Sequence, residues 1–133
     1  MFSSHSTTGG TLSVTVIEAR ELHGEDLVGK NDPYVELWLN EDYKQRTSEL
    51  SNTNDPVWNQ TFTFLIDEGS SIHKLYLKVL DKDTFGSDKI GEARVDFRQA
   101  LEGQPIDTWV KLPAKLGLSS HGEVHLYIQF SPN

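Results

Sequence analysis

Cysteine is absent from this 133-residue chain. That excludes a disulfide framework, a thiolate zinc site and a cysteine nucleophile. Long apolar runs are missing too, and none approaches the ~20 residues of a membrane-spanning helix. Positive charge is scarce. Twelve lysines and arginines face 20 acidic residues, and the formal net charge of −8 argues against a nucleic-acid binder. Residues 1–10 are polar and lack the basic and apolar regions of a secretory signal, so a cytoplasmic protein is expected. No Ser/His/Asp set and no glycine-rich phosphate loop stands out. His121 and His125 are four residues apart, but Gly122 follows His121 and the segment alternates like a strand, so it is no zincin motif. Nothing in the chain calls for a small-molecule substrate or an enzyme.

Aspartate, by contrast, is concentrated. Asp26 and Asp32 lie in one short stretch, and Asp81, Asp83 and Asp88 in another. A hard cation such as calcium takes six to eight oxygen ligands, mostly carboxylates and carbonyls. Without a cation, five neighbouring carboxylates repel one another. Bound metal would also reverse the local sign of charge, so an anionic membrane surface stays compatible with the net −8. Turn capping is the alternative role for such residues. Asp32 before Pro33 fits it alone, but caps do not require Asp81 and Asp83 as well as Asp26 and Asp88.

The second stretch imitates an EF-hand. Asp81, Asp83, Gly86 and Glu92 fall on its first, third, sixth and twelfth positions. Phe85, however, occupies a ligand position without offering oxygen, and Asp88 replaces the usual apolar residue. The preceding Leu75, Leu77 and Val79 alternate as in a strand where an EF-hand needs a helix.

Strand alternation recurs along the chain. It is seen at Leu12/Val14/Val16, at Val35/Leu37/Leu39, over Lys44 to Thr47, and at Trp58/Phe62/Phe64/Ile66. It continues over Leu75 to Leu80, over Ile90 to Phe97, around Trp109 and Leu112, and at Val124/Leu126/Ile128/Phe130. Only Arg98 to Gly103 reads as briefly helical. The pattern predicts an all-β fold, an eight-stranded antiparallel β-sandwich forming one domain over 10–133, after a short flexible N-terminus at 1–9. Trp58 and Trp109 are expected to anchor the core.

Four landmarks, in order, resemble a known family: Leu12 through Leu22, Asn31-Asp32-Pro33-Tyr34-Val35, Asn54-Asp55-Pro56-Val57-Trp58-Asn59 with Phe62 and Phe64, and Asp81-Lys82-Asp83 leading to Ile90-Gly91. The chain resembles a C2 domain, a calcium-dependent lipid-binding sandwich, from Gly10 to Phe130. A strand after the seventh, with none before Leu12, resembles the family's second, circularly permuted (type II) topology. The likeness is greatest to small single-domain C2 proteins of plants and fungi.

The resemblance implies calcium ligands at Asp26, Asp32, Asp81, Asp83 and Asp88, completed by the backbone oxygens of Glu25 and Lys82. It implies membrane insertion by the apolar tips Leu27, Val28 and Phe85, with Thr84 where a basic neighbour often stands. Lys44 and Arg46 share strand parity and, with Lys78, match part of a phosphoinositide patch. The function implied is reversible, calcium-dependent recruitment to a phospholipid membrane, as in membrane trafficking and signalling. The alternative is a protein-interaction adaptor, with a protein partner, in which calcium mainly stabilises the fold.

Overall fold

The computed structural model describes residues 8–23, 29–114 and 120–133. Two four-stranded antiparallel sheets face each other. Their strands are β1 (Gly10–Arg20), β2 (Pro33–Asn40), β3 (Tyr43–Arg46), β4 (Val57–Ile66), β5 (Lys74–Asp83), β6 (Gly86–Asp96), β7 (Ile106–Lys111) and β8 (Glu123–Pro132), with one short helix, α1 (Arg98–Leu101), between β6 and β7. One sheet runs β4-β1-β8-β7, the other β3-β2-β5-β6.

The period-2 alternation explains the layering. Leu12, Val14 and Val16 of β1 and Val124, Leu126 and Ile128 of β8 are fully buried or nearly so. They meet Val35, Leu37, Leu75, Leu77 and Val79 of the other sheet. Removing this apolar surface from water is the main driving force for the sandwich. Trp58 is buried, and its Nε1 donates to Ser48 O at 2.8 Å, satisfying the indole. Trp109 departs from expectation. It lies on the outer side of its sheet, half-buried, stacked on His125 at 4.7 Å with the Arg20 guanidinium 3.8 Å from its ring centroid. The reason is register: Trp109 pairs with His125, an outward position, whereas the inward Val110 pairs with Val124.

Helix α1 is held at its start by Asp96. The Asp96 carboxylate accepts the Arg98 backbone N–H at 3.0 Å and the Arg98 guanidinium at 2.6 Å, with Lys74 Nζ 3.5 Å away. The hydrogen bond from the Arg98 side chain is the main reason the Asp96 carboxyl is held far below the usual carboxylate range. A depressed carboxylate contributes stability above its unfolded pKa, about 3.9, and that contribution is lost as pH falls through the folded value. Asp96→Asn is therefore expected to lower the melting temperature slightly at neutral pH. The difference from wild type should shrink steadily as the pH falls below 4 in a pH series of thermal melts, and a difference that grew with acid would refute it.

The start of β1 meets the end of β8. Gly10 pairs with Pro132, and Asn133 N–H donates to Gly9 O at 2.9 Å. From there β1 runs to Arg20, which pairs with Glu123 at the other end of the sheet.

Candidate cation site

The sequence places Asp81, Asp83 and Asp88 in an open loop. The structure corrects this: β5 continues past Leu80 to Asp83, and β6 begins at Gly86 rather than Ile90. The aspartates flank a hairpin whose connection is only Thr84-Phe85, with Gly86 at φ +146°. Such a backbone angle is open to glycine and strained for other residues.

A bulge decides where the carboxylates point. Val79 pairs with Gly91 but Leu80 pairs with Lys89, so Ile90 is an extra residue on β6. Beyond the bulge, Asp81 stands directly opposite Asp88 and Asp83 opposite Gly86. Directly opposed residues put their side chains on one face, and a one-residue insertion switches which parity that is. On β5, Asp81 and Asp83 continue the row of Leu75, Leu77 and Val79, the row that faces the core. The inward face of the sheet thus changes from apolar to carboxylate where the core ends.

Asp32 enters from the start of β2. Its N–H donates to Asp81 Oδ1 at 2.8 Å, its carbonyl accepts from Lys82 N–H at 3.0 Å, and Pro33 pairs with Asp81. The Asn52 N–H donates to Asp32 Oδ1 at 2.6 Å, and Phe85 N–H to Asp83 Oδ1 at 2.9 Å. Backbone amides therefore engage one oxygen on each of Asp32, Asp81 and Asp83, which fixes the carboxylates in place. Tyr34 OH and Ser87 Oγ, 2.7 Å apart, tie the hairpin to β2 as well. Phe85, at the turn, is 98 % exposed.

The remaining expectations divide. Asp26, the Glu25 carbonyl, Leu27 and Val28 lie outside the described residues. Among the described residues no three His, Asp or Glu side chains are grouped so as to hold an ion by themselves. The donor set nonetheless fits a hard cation in chemistry. It is all oxygen, it is anionic, and its described members lie at one end of the sandwich, on β5, on β6 and just before β2.

Lys44 and Arg46, on β3, lie over aromatic rings of β2. Lys44 Nζ sits 4.5 Å from the Trp38 ring centroid and the Arg46 guanidinium 3.9 Å from that of Tyr34. Trp38 in turn stacks on Tyr76 at 5.9 Å. Arg46 pairs with Glu36, and Lys78 lies between Glu36 and Glu92 on the neighbouring strands. This face is aromatic with mixed charge rather than a basic cluster.

Sequence reasoning assigned no role to the turn at 52–55, which abuts the aspartates. Its Asn-Asp-Pro signature was visible, but a contact made by a backbone N–H across 20 positions leaves no local trace.

A family model described as C2 domain matches residues 10–112. Synaptotagmin-5 of Arabidopsis thaliana is 37 % identical over 123 residues, covering 91 % of this chain and 21 % of that protein. A calcium-dependent lipid-binding protein of Arabidopsis thaliana is 38 % identical over 94 residues, covering 71 % of this chain and 18 % of its own length. The chain thus spans about a fifth of the length of such curated relatives. A solved C2 domain-containing protein superimposes with a TM-score of 0.76 at 26 % identity, covering 99 % of this chain and 96 % of that one.

Proposed function

The chain belongs to the C2 domain family, and on that premise we propose that it is a phospholipid-binding module switched by calcium, not an enzyme. We take residues 10–133 as one such domain. We assign its strand order to the family's permuted topology, since among the described residues no strand precedes β1 and an eighth strand, β8, fills the place between β1 and β7. The observation that carries the reading is a juxtaposition. One hairpin bears Asp81, Asp83 and Asp88 and, at its tip, the almost wholly exposed Phe85. An aromatic ring set in water beside a carboxylate cluster makes sense if that end meets a membrane once the charge is neutralised.

Asp32, Asp81 and Asp83 hold the ion through the oxygens their backbone amides leave, with Asp88 opposite Asp81 and Asp26 from the first loop. The carbonyls of Glu25 and Lys82 complete the shell. A bound calcium supplies positive charge and open coordination positions for lipid phosphate oxygens. Phe85, with Leu27 and Val28, then contributes apolar anchoring. The protein moves reversibly between cytoplasm and membrane. The related Arabidopsis protein whose name specifies calcium-dependent lipid binding supports this assignment.

Co-sedimentation with phospholipid vesicles, with calcium and with chelator, tests the proposal. Binding only with calcium is expected, and equal sedimentation in both overturns it. If calcium binds but vesicles do not, the adaptor reading takes its place. Thermal melts give a second check. A ligand present at ~100 times its dissociation constant and specific to the folded state adds about 2.7 kcal/mol of stability. The melting temperature should rise in millimolar calcium and far less in magnesium, whose octahedral demand fits this donor set poorly.

A further inference from the structure

We infer that the Asn54 side chain, acting with Asn31, is a positioning residue of the cation site: the pair ties the two ends of the first aspartate loop together and so sets Asp32. The inference deepens the function proposed above and rests on it.

The chain leaves β1 through Leu22 and reaches β2 through Asn31. Leu22 N–H donates to Asn54 O at 3.0 Å. The Asn31 backbone N–H and the Asn31 Nδ2 both donate to Asn54 Oδ1, at 3.0 and 2.7 Å. Asn31 Nδ2 also donates to Leu22 O at 3.2 Å, and Thr53 N–H to Asn31 O at 2.8 Å. Leu22, Asn31 and Asn54 therefore close a ring of hydrogen bonds across the mouth of the loop.

The chemistry needs these residue types. Asn31 Nδ2 has two hydrogens and spends one on Leu22 O and the other on Asn54 Oδ1. A carboxylate at position 31 would set oxygen against two oxygens. Asn54 Oδ1 uses both lone pairs on Asn31, and this convergence of donors identifies the atom as the oxygen. Leu22 is fully buried and Asn31 and Asn54 are half-buried, so water competes weakly for these bonds.

The consequence reaches the next residue. Asp32 follows Asn31 directly and receives the Asn52 N–H on its Oδ1 at 2.6 Å. The 52–54 turn thus fastens both the loop mouth and one carboxylate. An Asp32 already held in place loses less conformational entropy when it takes up an ion, which raises affinity without adding a ligand.

Isothermal calcium titration of the full chain tests this with Asn54→Ala, Asn31→Ala and the double variant, at a temperature where circular dichroism shows all of them folded. Each single substitution is expected to weaken calcium binding about tenfold. The double variant should lose less than the product of the two, because both break one ring. Melts in chelator supply a readout independent of calcium. A residue that only supports the sandwich would lower the melting temperature in chelator and leave calcium affinity unchanged, and that result overturns the inference. Losses that multiply overturn it as well. Should Asn54→Ala fail to fold, Asn31→Ala carries the test alone, since it keeps the backbone bond to Asn54 Oδ1. If wild type binds no calcium, the functional proposal falls and this inference with it. Wild-type binding with unchanged affinity in the variants removes this inference only.

Discussion

Asp83→Asn should abolish calcium-dependent vesicle binding while the sandwich stays folded. Asparagine keeps a carbonyl oxygen where Asp83 Oδ1 accepts the Phe85 N–H at 2.9 Å, so the hairpin turn retains its bond. What disappears is one negative charge from a site built of carboxylates. Ligand charge tunes calcium affinity over decades, so a loss of at least about tenfold is expected. Asp83 is exposed and lies beyond the core row of Leu75, Leu77 and Val79, so stability in chelator should hold or rise as repulsion is relieved. Calcium titration and vesicle sedimentation of the variant check this. A variant that titrates like wild type would remove Asp83 from the ligand set.

Phe85→Ala should separate the two halves of the mechanism. Burying a phenylalanine ring is worth about 1.5–3 kcal/mol. At ~1.4 kcal/mol per decade, vesicle affinity should fall by roughly one to two decades. Calcium affinity measured without lipid should barely move, because the ring offers no oxygen and is 98 % exposed in the free protein. With Thr84 in place of a cation beside it, the apolar contribution should dominate, and added salt should weaken vesicle binding only modestly. Loss of both affinities would mean the ring shapes the ion site. Loss of neither would mean it stays in solvent and the headgroup is held by coordination alone.

The fold was largely legible because its core strands obey one local rule. Leu12, Val14 and Val16 alternate with Ser13 and Thr15, and β8 alternates over eight residues, so burial could be read from parity. The hairpin tip was not legible. Asp81, Lys82, Asp83 and Gly86 are poor strand formers by propensity; Asp81 and Lys82 are held in the strand by Asp32 and Pro33, contacts that span about fifty positions, and Asp83 pairs with Gly86 beyond them. The Ile90 bulge was hidden for a related reason: a buried isoleucine fits a strand start as well as an inserted residue. Trp109 misled because size suggests burial, yet its outward face is covered by an arginine and a histidine drawn from β1 and β8. The aspartates were visible as a group. Their supports at Asn52 and Asn54 were not, since nothing near those residues in sequence announces the partners.

The meeting of Gly9 and Asn133 has an architectural consequence. Both ends of the fold sit at the pole opposite the aspartates, because β1 and β8 are antiparallel neighbours along their whole length. A longer polypeptide containing this fold would enter and leave it through a single joint, as a cable enters and leaves a socket. The fold can then be set into another protein as a cassette, or repeated in series, without forcing its flanking parts far apart. In every such arrangement the Phe85 tip points away from the joint, like a foot at the end of a leg, free to reach a surface while the stem stays attached.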